Sequence, residues 1–145
     1  MMRILPAHIL ALNYLERAEE FMQAFRNLQA DPPPAWPRYF LLTHAVELAL
    51  RTYLIQTGVP DGKLRGPPLR HNLKQLLIDS VNAGLPVRPA ARREIELLDE
   101  AHRRFWHRYP REVTKPVFVI DYFEAHGTEL LQAVRRSLHP TSPPT

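Results

Sequence analysis

Arg38-Tyr-Phe-Leu-Leu-Thr-His-Ala-Val-Glu-Leu-Ala-Leu-Arg-Thr-Tyr-Leu-Ile-Gln-Thr-Gly-Val59 is the stretch from which the fold is read. It holds no proline, and Phe40, Leu41, Leu42, Ala45, Val46, Leu48, Ala49, Leu50, Leu54 and Ile55 go almost all the way round a helical projection. A helix apolar on nearly every side is one that other elements surround, so this segment is expected to be a central, largely buried spine.

Outward from the spine, fifteen prolines punctuate the chain. Proline lacks an N–H and clashes with the preceding turn, so helices are expected where it is absent. The proline-free stretches are 7–31, 38–59, 69–85, 90–109 and 117–139, each long enough for three or more turns. Between them, Asp31-Pro-Pro-Pro34, Pro60-Asp-Gly62 and Gly84-Leu-Pro86 are turn chemistry. Three-to-four residue spacing marks one-sided helices in the first stretch (Ile9, Leu12, Leu15, Phe21, Met22, Phe25), the fourth (Ile95, Leu98, Ala101, Phe105) and the fifth (Phe123, Leu130, Leu131, Val134, Leu138). Val117-Phe-Val-Ile120 reads as a short extended arm, and the pattern suggests neither a sheet nor an internal repeat. The expectation is an all-α, up-and-down antiparallel helical bundle of about five helices: one domain over 1–139 with a loose Pro/Ser/Thr tail at 140–145.

Composition narrows the chemistry. With 145 residues, 45% apolar and 23% charged, the chain can bury a core as one globular domain. It has no cysteine, which excludes a disulfide framework, a thiolate zinc site, an iron–sulfur cluster and a cysteine nucleophile. No uninterrupted apolar run reaches the roughly 18 residues of a membrane span. Pro6 and His8 interrupt Ile4–Leu12, a poor signal peptide, so the cytoplasm is the expected compartment. Five glycines make no phosphate loop, and neither His-Glu-x-x-His nor Gly-x-Ser-x-Gly occurs. His44-x-x-Glu47 stands alone, and His102 and His107 are five apart, so neither a metal nor another cofactor is expected. There is no DNA sequence-reading motif.

The net charge of +4 and pI near 9.8 favour acidic partners. Sixteen of the nineteen basic residues are Arg, the better bidentate phosphate ligand, although a GC-rich genome produces the same bias. Ala101-His-Arg-Arg-Phe-Trp-His-Arg-Tyr-Pro-Arg111 sets Arg103, Arg104, Arg108 and Arg111 among three aromatics without an acid. Such interleaving suits a phosphate backbone with stacked bases, making these four arginines the expected nucleic-acid contacts. The alternative is a helix C-terminus whose cations complement the macrodipole.

On the spine, His44, Glu47 and Arg51 stand at i, i+3 and i+7 and share a face. One reading is a polar groove: Arg51 for an anion, Glu47 to orient an imidazole, His44 as proton carrier. The other is an intrahelical Glu47–Arg51 pair worth about 0.2–0.5 kcal/mol beside a satisfied histidine. In His71-Asn72-Leu73, Asn72 is the expected N-cap of the next helix.

His44-Ala-Val-Glu-Leu-Ala-Leu-Arg-Thr-Tyr-Leu54, then His71-Asn-Leu73, then Leu98-Asp99 leading to Arg108-Tyr-Pro110 resembles, in that order, a HEPN domain (higher eukaryotes and prokaryotes nucleotide-binding). Arg51 stands where that family has Lys, keeping the charge, and Asn72 where it has Asp. The likeness spans roughly 38–139. It implies a helical bundle, often dimeric, that associates with a nucleotide or RNA and in some members partners a small nucleotidyltransferase in a toxin–antitoxin pair. It also implies that His44, Glu47, Arg51, His71 and Arg108 converge as a ligand-binding groove. In the family's ribonuclease branch, an Arg-x(4–6)-His motif holds phosphate and moves protons. Arg3–His8, Arg38–His44 and Arg65–His71 carry that spacing, while Arg103–His107 on the late helix is one residue short. Arg38 and His44 are the candidate catalytic pair of that reading. Three readings therefore stand: a homodimeric binding domain for a nucleotide, RNA or protein partner that is not a strong catalyst, a metal-independent ribonuclease, and a structural interaction module.

Overall fold

The computed structural model describes residues 5–28, 35–106 and 120–138; of 35–36, 101–106 and 120–122 it describes the backbone alone. The described residues form six helices and no strand: α1 (Ala7–Asn27), α2 (Ala35–Gln56), α3 (Asp61–Arg65), α4 (Leu73–Asn82), α5 (Pro89–Trp106) and α6 (Ile120–Leu138). Five coincide with the proline-free stretches. Two begin on or just before a proline: Pro89 opens α5 and Pro37 lies in the first turn of α2, where the missing N–H would have had no helical partner. The additional helix is α3, a single turn within what reads from sequence as a plain turn. Its start on Asp61 and its Lys63 and Arg65 match the helix dipole at both ends.

The spine is where the sequence places it, since α2 packs against α1, α4 and α6. Leu42, Ala45, Val46, Ala49 and Leu50 are fully enclosed. α1 buries Ala11, Leu15, Ala18, Met22 and Phe25, a four-three-four-three stripe. Two expected core residues lie at its edge instead: Ile9 and Phe40 are exposed, because Ala11 and Tyr39 take the inward positions beside them.

Pairwise contacts give the helix directions. Phe25 meets Arg38 and Phe21 meets His44, so α1 and α2 are antiparallel. Arg26 binds Glu124 (3.2 Å) and Arg135 binds Glu19 (Nε–Oε2 3.0 Å), so α1 and α6 are antiparallel as well. Gly127 permits this approach, since a Cβ there would lie 2.7 Å from the buried Met22 Cε. α4 and α5 are joined by a short turn at Gly84, whose φ of +112° suits glycine. α2 and α4 are separated by the α3 excursion and run in the same direction, α4 lying along the second half of α2: Glu47, midway along α2, bonds His71 just before α4, and Tyr53 Oη, near the end of α2, donates to Ala83 O at 3.1 Å just after it. The excursion carries the chain back to the level of Glu47, which builds the site. Of the expected extended arm at 117–120, residues 117–119 lie outside the described residues and Ile120 is helical instead, opening α6; the expected tail at 140–145 also lies outside them.

Candidate functional site

Glu47 is the centre of the site. The periodicity of α2 turns it toward the loop leading into α4, and its residue is 3% exposed. A carboxylate so enclosed requires donors, and it has them. Arg51 Nη2 donates to Oε1 at 3.0 Å from one turn along α2. The backbone N–H of His71 donates to the same oxygen at 3.1 Å. His71 Nδ1 lies 3.1 Å from Oε1 and 3.3 Å from Oε2, and His44 Nδ1 lies 3.8 Å from Oε2. Burial pushes the carboxyl up, but the neighbouring His44 imidazole, the Arg51 guanidinium and the His71 ring outweigh it and hold Glu47 down to about 2. Glu47 is thus ionised at any ordinary pH and serves as a counter-ion rather than a general base.

The loop is shaped to reach it. His71 adopts φ +54°, the left-handed region that costs a side-chain-bearing residue about 1 kcal/mol. The following residue is the expected cap: Asn72 Oδ1 accepts the Gln75 N–H at 3.1 Å and starts α4. The paired bonds of the His71 main chain and ring to Glu47 hold this backbone in place. The side chains of His71 and His44 remain 46% and 34% exposed, whereas that of Arg51 is only 11% exposed. Arg51 Nε is buried with no hydrogen-bond partner. His44 is flanked by aromatics, with Phe21 edge-on at 4.6 Å and Phe40 stacked at 6.2 Å.

Four of the five expected groove residues, His44, Glu47, Arg51 and His71, therefore converge. Arg108 and Arg111 lie outside the described residues, as do the side chains of Arg103 and Arg104 in the last turns of α5. Arg38 sits over the Phe25 ring, 4.7 Å from its centroid, while His44 lies against Phe21; six positions apart, the two do not share one face of α2. Arg65, of the Arg65–His71 pair, is bound to Asp61 at 2.9 Å.

Three further residues contribute to the site in ways that sequence reasoning does not assign. Phe21 and Phe40 bracket His44 from two helices: Phe40 stands one turn before it on α2, a spacing visible in the sequence, while only three-dimensional proximity brings in Phe21 from α1. Asp99, buried in α5, accepts the Lys74 N–H at 3.2 Å and so anchors the start of α4 next to the site. An acid directly following the apolar Ile95 and Leu98 of the α5 stripe is the available signal for it. Beside Asp99 a cavity of about 460 Å³ opens, lined by Lys74, Arg93, Glu96, Leu97 and Glu100. Among the described residues no cluster of three or more His, Asp or Glu could hold a metal ion. No described helix is long and apolar enough to cross a membrane.

The fold and site together define an all-helical bundle with a buried carboxylate that gathers one arginine and two surface histidines. Comparison with family models, with curated proteins and with solved structures returned no match to this chain.

Proposed function

We propose that the chain is a HEPN-like binding domain that takes a phosphate-bearing ligand, a nucleotide or RNA, at His44, Glu47, Arg51 and His71. The observation that carries this reading is the meeting of two imidazoles, one exposed and one half-buried, and an arginine, drawn from α2 and from a loop 24 residues away, on one buried carboxylate. Such groups converging at a surface are the usual material of an anion site. The basic pI supports an acidic ligand. The likeness of the motifs around 44–54, 71–73 and 98–110 to the HEPN pattern supports a nucleotide or RNA. With it comes the expectation of a homodimer in the cytoplasm, and of a nucleotidyltransferase-like protein as partner.

The test is fluorescence anisotropy of a short labelled RNA, titrated from low to physiological salt, with the end-point run on a gel. Binding is expected, with an affinity falling steeply as salt rises in proportion to the phosphates contacted. His44→Ala should weaken it several-fold. Absence of binding at low salt would end the RNA reading, and shortened RNA on the gel would establish the ribonuclease in its place. One observation favours the purely structural reading: both Glu47 oxygens are engaged within the chain, which ties α2 to the start of α4 without any ligand. That reading predicts no phosphate affinity at any pH.

A further inference from the structure

We infer that the His44–Glu47–Arg51–His71 site binds its phosphate-type anion only together with protons, so that ligand binding and imidazole protonation are one linked event. The inference rests on the phosphate-ligand reading and adds to it the condition under which the site is competent.

The argument is one of local charge. Arg51, the fixed cation of the site, donates to Glu47 at 3.0 Å, so its charge is already cancelled by a buried carboxylate. From α1, Tyr14 faces the same region and hydrogen-bonds Asp61 at 2.9 Å; Asp61 of α3 is in turn paired with Arg65 at 2.9 Å, a second cancelled pair. The sign of the Tyr14 environment agrees: burial and Asp61 push its hydroxyl up, while Arg51 and Arg65 pull it down. From α4, the first turn presents the neutral Asn72 cap, and Lys74 lines the separate cavity beside Asp99. Arg70 precedes His71 in the chain, and Arg17 lies between Tyr14 and Phe21 on the same face of α1; both are exposed, where solvent screens them. Among the described residues, then, the only charge that can change around the anion position is that of His44 and His71.

With both imidazoles neutral, the cluster is electrically balanced and offers an incoming dianion no attraction to offset its lost hydration. Protonation makes it net positive, with Glu47 retained as the counter-ion that keeps two adjacent imidazoliums tolerable. Glu47 is suited to that part because it stays ionised far below the pH at which imidazoles charge. Linkage is reciprocal: an anion that needs the protonated site must raise the proton affinity of its histidines.

Inorganic sulfate is the probe, because it remains a dianion from pH 5.5 to 8.5 and contributes no titration of its own. The histidine Cε1–Hε1 signals, followed by NMR during sulfate titration of the whole chain, read both binding and protonation. The expected result is binding at pH 5.5 that weakens at least about tenfold by pH 8.5, with the His44 and His71 titrations moved to higher pH by sulfate. In His71→Asn, a residue type that accepts a left-handed backbone, the pH dependence should shrink while the remaining His44 signal still responds. Calorimetry of the unaltered protein in two buffers of different ionisation enthalpy should show net proton uptake on binding. Equal affinity at both pH values with no proton uptake overturns the inference and leaves the phosphate-ligand reading standing. No sulfate response at either pH overturns both.

Discussion

At the scale of single residues, Glu47 governs the behaviour of the molecule. It is buried, its pKa is held down to about 2, and a glutamate in an unfolded chain titrates near 4.3. Between these values the unfolded chain takes up a proton that the folded one refuses. The stability this group contributes is therefore complete above about pH 4.5 and is lost as pH falls toward 2. Replacing it by Gln should destabilise the protein near neutral pH by about 3 kcal/mol or more, since Arg51 and His71 lose their charged partner. The urea midpoint followed by circular dichroism at pH 6 and pH 3 checks both points. The unaltered protein should lose more of its midpoint across that interval than Glu47→Gln does, and equal losses would show that the Glu47 cluster is not what titrates.

At the scale of elements, the start of α4 is the joint on which the site depends. Three groups converge on it: the Asn72 side chain, Asp99 from α5 and Glu47 from α2. Asn72→Ala removes the side-chain cap and should cost about 1 kcal/mol. Hydrogen exchange should show faster opening in α4 than in α1, and uniform change across the chain would count against a local joint. The helices themselves were largely legible in the sequence, because proline acts locally: the spacing of fifteen prolines outlines α1, α2, α4, α5 and α6, and Asn72 is recognisable as a cap from its own chemistry and the residues after it. Less was legible wherever distance along the chain matters. The fit of His71 to Glu47 spans 24 residues, and nothing in His71-Asn-Leu73 announces a left-handed backbone. Phe40 reads as core by its apolarity, yet the neighbouring Tyr39 is the one turned inward, its hydroxyl donating to Leu98 O at 3.1 Å. α3 escapes because five residues are too few to show a period.

At the scale of the whole molecule, α2 is shared by three partners, so damage to its core should be felt everywhere at once. Leu50 is fully enclosed on it, and Leu50→Ala should cost about 2–5 kcal/mol, the spread reflecting how far the surroundings collapse into the space. Thermal unfolding should remain a single transition at lower temperature, with the far-ultraviolet and aromatic signals coincident. Two separated transitions would mean that the α4–α5 pair folds apart from the rest. The ion pairs at the periphery add little to this balance: Arg88 and Glu129 approach to 2.6 Å, but both are solvent-facing and would be weakened by salt.

Glu47 grips His71 by its peptide N–H as well as by its ring. The main-chain bond does not depend on the side chain at position 71, so it stays open to any residue that tolerates φ +54°. The carboxylate thus fastens the loop twice, once to the chain and once to the residue it carries: a change of side chain at position 71 loosens the second fastening and leaves the first in place.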